Sequence, residues 1–299
     1  MTTAKYTIKD FNAQFPDDDT CLEFLFQARY PNGVTCSTCH KITKHYRRAE
    51  RKGYACEFCG NIISPTAGTI FHKSPTPLRS WFYAMFLMSS TRCGISAKQL
   101  ERELGVTYKT AWRMFKQIRS LMDEQAKPMN GNTEIDETYI GGKRHGTRGR
   151  GAEGKTPVVG LVNRESSQVV TKVTMDVKTK TVLPIIWDNV PRDARNTIHT
   201  DELSSYSMVQ KLGYTHSVVR HGSGEYARGA SHVNSIEGFW SLVKRGISGV
   251  HHAVSPKYLQ DYFNEYGFRY NHRNSGIPMF VLLLGRVSQL APARAEPIL

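Results

Sequence analysis

No run of apolar residues in this chain approaches the ~20 needed to cross a bilayer; the longest, Met279 to Leu284 with its neighbours, is much too short. The N-terminus also lacks the apolar core of a signal peptide, so no membrane partner is expected and the cytoplasm, or the nucleoid within it, is the expected location. Internal repeats and long low-complexity segments are missing, which excludes a repeat architecture. Acidic residues are in deficit, 26 Asp and Glu against 40 Lys and Arg, and the formal net charge of +14 favours a polyanionic partner. Nucleic acid leads over an anionic membrane surface, because the basic residues are spread over loops and turns instead of lining one amphipathic helix. Cysteine is scarce as well. Four of the six fall in two CxxC pairs, Cys36/Cys39 and Cys56/Cys59, with Cys21 and Cys93 left over; in a reducing compartment that pattern argues for metal, not disulfides.

What is present divides along the chain. Asp17-Asp18-Asp19 precedes an apolar segment, Thr20 to Arg29, that suits a short buried helix whose start the acids favour. Cys21 reads as core. Sixteen residues separate Cys36-Ser-Thr-Cys39 from Cys56-Glu-Phe-Cys59, and each pair is a tight turn able to present two thiolates to one tetrahedral zinc. The strands between are too short to bury a core, so metal supplies the folding energy of a zinc ribbon with a closed, structural site. Lys41, Lys44, His45, Arg47, Arg48, Arg51 and Lys52, interleaved with Tyr46 and Tyr54, suit phosphate contacts.

Residues Ser74 to Met122 read as helical. Pro77 opens a helix; Ser96 to Leu104, a turn at Gly105 and a second helix from Thr107 match a helix-turn-helix whose second helix begins with Thr107, Tyr108, Lys109 and Thr110, with Trp112 and Phe115 as core. Lys127 to Asn132 is a linker by composition. The expected division is a zinc-ribbon domain over 1–72, a helix-turn-helix region over 73–127, an α/β domain over 128–275 and a tail over 276–299.

This third domain opens with Glu134-Ile135-Asp136-Glu137-Thr138-Tyr139-Ile140, a strand running into a Gly-Gly turn. A mid-strand carboxylate such as Asp136 is costly unless it faces solvent, a cation or a metal. A basic, glycine-rich loop follows, with Lys143, Arg144, His145, Arg148 and Arg150. Strands are then expected at Pro157 to Arg164 and Gln168 to Met175, a helix at Thr179 to Trp187, a strand at Thr197 to Asp201, a helix at Ser204 to Leu212 and a strand at Thr215 to Val219. Three strands, helix, strand, helix, strand is the order of a ribonuclease-H-like mixed sheet, in which the first and fourth strands lie side by side. Asp136 and Asp201 then meet, and two carboxylates so placed repel unless a divalent cation neutralises them. A later helix from His232 carries Ile236, Trp240, Val243 and Ile247 as a buried stripe, with Asn234 or Ser235 as N-cap and with Glu237 and Lys244 two turns apart on one side.

The motifs CSTC, CEFC, TIFHKSPTPLRSW, IDETYIGGK, HTDELSSY, HVNSIEGFWSLVKRGISG and NEYGFRYNHR run in order over nearly the whole chain. In them the chain resembles the bacterial insertion-sequence transposases of the DDE type with an N-terminal zinc ribbon, the ISXO-type group. The resemblance implies an α/β multidomain protein with Asp136 and Asp201 as the first two acidic metal ligands and Lys244 as the basic residue after the third. The expected third ligand is Glu237, thirty-six positions after Asp201, with Asn234 as assistant or substitute, because the group resembles a variant pattern with asparagine there. The implied activity is metal-dependent 3′-end cleavage and strand transfer on DNA with Mg²⁺ or Mn²⁺, a structural Zn²⁺ on Cys36, Cys39, Cys56 and Cys59, and a homo-oligomer assembled on terminal inverted repeats and target DNA. A competing reading is a sequence-specific DNA-binding regulator with an inactive ribonuclease-H-like domain.

Overall fold

The structure, a computed structural model, describes residues 5–48, 50, 52–91, 93–125, 127–141, 154–219 and 232–289. The chain divides into two units, Met1–Leu121 with Ser275–Leu299, and Met122–Asn274.

In the first unit, α1 (Ile8–Gln14) starts at a capping box of Thr7 and Asp10, and α2 (Asp18–Arg29) starts at Asp17, whose side chain accepts the Thr20 N–H at 2.8 Å. The acidic run therefore does serve a helix start, with Asp18 and Asp19 in the first turn. The ribbon follows as β1 (Val34–Thr35), β2 (Ile42–Thr43), β3 (His45–Arg48), β4 (Gly53–Cys56) and β5 (Ile62–Ile63), in antiparallel sheets β1-β2 and β3-β4-β5. Pro77 precedes α3 (Leu78–Ser90). A three-residue turn joins α4 (Ala97–Leu104) to α5 (Tyr108–Ser120): Gly105 takes the left-handed conformation at φ +61°, and Thr107 caps α5 by accepting the Thr110 N–H. Phe115 is buried as expected; Trp112 is only half-buried, a correction to its reading as core.

The second unit is built on one sheet. β6 (Asn132–Ile140) pairs antiparallel with β7 (Thr156–Asn163), which pairs antiparallel with β8 (Val169–Val173). After α6 (Thr179–Asn189) the chain enters β9 (Thr197–Thr200), parallel to β6, and then β10 (Thr215–Val218), parallel to β9. The strand order β10-β9-β6-β7-β8 is that of a ribonuclease-H-like sheet. The helix expected over Ser204 to Leu212 is instead two 3₁₀ turns, Ser204–Tyr206 and Gln210–Leu212. Its apolar residues, Tyr206, Val209 and Leu212, recur every three positions, the 3₁₀ repeat, and all three pack into one core.

Side chains alternate across the sheet, so each face has its own core. On one face Ile135, Val159, Leu161 and Ile198 meet α6. On the other, Ile140, Val158 and Val162 meet α7 (Asn234–Gly246) and α8 (Leu259–Asn271), which bring Ile236, Phe239, Trp240, Val243, Phe263 and Tyr266. Helix α8 also covers the outer edge of β8. The Asn271 carboxamide accepts the Val169 N–H and donates to the Val169 carbonyl, and Gln260 accepts from Val173 and donates to Thr171. Amides of side chains thus occupy the positions a further strand would take.

Residues 276–299, set apart as a tail by sequence, contain α9 (Met279–Gln289), which belongs to the first unit. Its Phe280 packs against Phe11, Phe15 and Phe86, and within the apolar run Met279 to Leu284 it is Phe280, Leu283 and Leu284 that are buried, while Val281 is exposed.

Gly160 on β7 stands opposite Asp136, and a Cβ there would lie 2.5 Å from the Trp240 ring and 3.0 Å from Ile236. The missing side chain is what lets α7 approach the sheet at this point. Gly160→Ala is expected to cost about 1–3 kcal/mol through overpacking, read as a lowered denaturation midpoint, with an altered Trp240 emission.

Candidate active site

The β6–β9 ladder ends at Glu134 opposite His199. Two residues further along each chain stand Asp136 and Asp201, the latter just past the end of β9. The chain leaves β8 on one side of β6 and re-enters the sheet on the other, so this is where the strand order reverses and a crevice opens at the strand ends. Here oxygens of Asp136, Glu137 and Asp201 all lie within 4.8 Å of one another. The structure brings together the two aspartates predicted to meet and adds Glu137, which sequence reasoning missed. Successive residues of a strand face opposite ways, and only beyond the last ladder pair is there space for both carboxylates to approach Asp201.

Each acid is oriented by a neighbour. The Trp240 indole N–H donates to Asp136 Oδ2 at 3.0 Å, the Tyr206 hydroxyl donates to Glu137 Oε2 at 3.1 Å, and the Leu203 N–H donates to Asp201 Oδ1 at 3.0 Å. Burial, and then the charges of Glu137 and Asp201, push Asp136 up to about 7. Burial beside Glu137 raises the Tyr206 phenol well above its ordinary value and keeps it a proton donor. Three converging carboxylates with one driven towards neutrality suit a divalent cation, whose oxygen ligands stand ~2.1–2.5 Å from the ion.

The other predicted residues lie on α7. Asn234 is its first residue, Glu237 sits in the first turn, and Lys244 and Arg245 are in the last; all four are exposed. Glu237 is not among the three acids that converge. The expected capping by Asn234 or Ser235 is replaced. The cap position is Val233, without a side-chain bond, and the N–H groups of Ser235 and Ile236 donate to Glu134 of β6 instead. The basic loop Lys143 to Arg150 lies outside the described residues.

A second centre forms in the ribbon. The Sγ atoms of Cys36, Cys39, Cys56 and Cys59 lie within 4.8 Å of one another, with Cys36 to Cys59 at 3.5 Å and Cys39 to Cys56 at 3.7 Å. These separations are too long for disulfides, and they match the ~3.8 Å edges of a tetrahedron with Zn–S bonds of ~2.3 Å. The N–H groups of Cys39 and Thr38 lower the Cys36 thiol to about 5, favouring the ligating thiolate. Cys21 is fully buried in the core, and burial pushes its thiol up to about 12. Two of the basic residues expected to meet phosphate are engaged within the unit, Arg47 with Asp19 at 2.6 Å and Lys52 with Asp18 at 3.6 Å. Lys41 lies over the exposed Phe58 ring at 4.4 Å. Arg51 is outside the described residues.

Residues 16–61 match the transposase zinc-ribbon domain and residues 128–271 the ISXO2-like transposase domain. Over 275 residues, 85% of this chain and 91% of the relative, the chain is 30% identical to an uncharacterized protein in transposable element ISH50 of Halobacterium salinarum. The chain belongs to the ISXO2-like transposase family. Both matched domains of this transposase contain the centre described in them, the four cysteines in one and the three acids in the other. Among solved structures the chain is similar to the HTLV-2 integrase catalytic core domain in complex with magnesium, at 13% identity and a TM-score of 0.29, over 48% of this chain and 87% of that one. Among the described residues no helix is long and apolar enough to cross a membrane.

The raised ionisation of Asp136 has a sign in stability. Its folded value of about 7 exceeds the ordinary 3.8, so its contribution to folding is fully present below about pH 4 and is lost as pH rises through 7, by on the order of 4 kcal/mol without a cation. Asp136→Asn removes this dependence while keeping an oxygen for the Trp240 N–H. Without added divalent cation, the variant is expected to unfold at a higher temperature than the wild type near pH 8, with the difference vanishing near pH 4 in parallel thermal scans.

Proposed function

We propose that this transposase cuts DNA at the 3′ ends of an insertion sequence and joins those ends to target DNA, using divalent cations held by Asp136, Asp201 and a third ligand. The observation that carries this is the convergence of Asp136, Glu137 and Asp201 at the strand switch point of a chain with net charge +14. A solvated acidic face would have no reason to bury its carboxylates: Glu137 and Asp201 are each only 8% exposed. Mg²⁺ or Mn²⁺ at such a site supplies acidification of a water or a 3′-hydroxyl and neutralisation of charge on the scissile phosphate.

The chain's own residues do the rest. Trp240 and Tyr206 fix the rotamers of Asp136 and Glu137 through N–H and O–H donors that remain protonated. Lys244 and Arg245, exposed at the end of α7, hold the DNA backbone by charge. Glu237 and Asn234 in the first turn of the same helix are the candidates for the third ligand, with Glu137 a further one. In the first unit, the exposed start of α5 (Thr107, Tyr108 and Lys109) and the ribbon with its structural zinc recognise the terminal inverted repeats. Two ends must be brought together, so the active form is a homo-oligomer on DNA.

The test is a strand-transfer assay with zinc-loaded protein, a labelled DNA end of the element and a plasmid target, with and without Mg²⁺ or Mn²⁺. Wild type is expected to nick and join in a metal-dependent way. Asp136→Asn and Asp201→Asn should each lose at least ~100-fold. Among Glu137→Gln, Glu237→Gln and Asn234→Ala, the one that matches this loss is the third ligand. Tight binding of the end, unchanged by metal and without nicking, would instead identify a DNA-binding regulator.

A further inference from the structure

Glu134 has no part in the metal cluster, yet its side chain is fully buried in the middle of the sheet. It stands two residues before Asp136 on β6, on the same face, the one covered by α7. One carboxylate oxygen accepts the N–H groups of Ser235 and Ile236, at 2.9 and 3.1 Å. The other accepts Arg164 Nε at 2.7 Å and lies 3.2 Å from His232 Nδ1. The Arg164 guanidinium also donates to the His232 carbonyl, just before α7 begins. A helix start leaves N–H groups without intrahelical partners, and an anion there is favourable. α7 has no side-chain cap of its own. The cap comes from the strand.

We propose that Glu134 is a positioning residue that sets the height and rotation of α7 against Asp136, and thereby the geometry of the metal site. This rests on the transposase reading above. Two carboxylates join the same strand to the same helix through three hydrogen bonds: Glu134 holds residues 235 and 236, and Asp136 holds Trp240. Two points of attachment separated by about one turn fix both translation along the strand and rotation about the helix axis. The two candidate ligands flank the first attachment, Asn234 on one side and Glu237 on the other. A charge buried at this point is costly unless fully bonded, and here both oxygens are. Arg164 supplies the countercharge and ties the peptide entering the helix to the same carboxylate.

The variants are Glu134→Gln, which keeps the length and loses the charge, and Glu134→Asp, which keeps the charge for Arg164 and withdraws it from the helix. Three readouts are taken on zinc-loaded full-length protein: hydrogen exchange of the 233–240 peptide, the Mn²⁺ concentration giving half of the Mn²⁺-induced thermal shift, and strand transfer. Both variants are expected to exchange faster over 233–240 while β7 stays protected. Both should need about tenfold more Mn²⁺, in the range seen when a group supporting a metal ligand is removed, and joining should fall with unchanged binding of the DNA end. Unchanged Mn²⁺ dependence in a folded variant overturns the proposal, even if exchange rises, because Glu134 is then a helix cap and nothing more. Failure of both variants to fold also overturns it. If wild type itself neither nicks nor joins DNA, the transposase reading falls, while the exchange and Mn²⁺ readouts still decide the role of Glu134.

Discussion

Electrostatic crowding at the end of one strand governs this molecule. Asp136, Glu137 and Asp201 are held within a few ångströms by backbone, since β6 is the central strand and β9 is laddered to it up to Glu134 and His199, two residues before the aspartates. Each carboxylate is half-buried or buried, so water cannot dissipate the repulsion. The protein accepts this cost because the crevice has structure around it: an indole, a phenol and a backbone amide each donate one hydrogen bond to one acid. These donors stabilise the anions without cancelling their charge.

The helix over the site obeys the same logic. α7 approaches the sheet where Gly160 leaves room for the Trp240 ring, and Gly246 later in the helix leaves room for the Tyr266 hydroxyl. At its N-terminal end and at Trp240 the helix is tied to β6 by the carboxylates of Glu134 and Asp136. Sheet, helix and acid cluster are therefore one mechanical unit. The ribbon solves a different problem. Its strands have two to four residues each, too little to bury a core, and four sulfurs at the distances of a tetrahedral zinc replace the missing apolar surface.

Much of this was legible in the chain alone because it rests on local periodicity and on topology. Alternation around Ile135, the turn residues between strands and the order of elements placed Asp136 beside Asp201 across sixty-four intervening residues. The CxxC spacing foretold the cysteine cluster. The rest depends on packing that no local pattern encodes. Trp240 reads as one more apolar residue in a stripe, and only the missing Cβ of Gly160 shows why its N–H reaches Asp136. Glu137 follows Asp136 directly, and strand alternation argues against their sharing a site. Glu134 looks like an ordinary polar residue near the start of a strand, although its partners lie thirty and more than a hundred residues away. Residues 204–212 carry an apolar spacing of three, which a helix expectation absorbs too easily.

The central claim is that the crowded acids are a cation site, and the most direct measurement is anomalous diffraction at the manganese edge from crystals of the zinc-loaded protein soaked in Mn²⁺. A manganese peak between the Asp136 and Asp201 carboxylates, lost in Asp136→Asn while the zinc peak on the four cysteines persists, is the predicted result. Manganese bound elsewhere, or no peak at the acids at saturating Mn²⁺, would contradict the account.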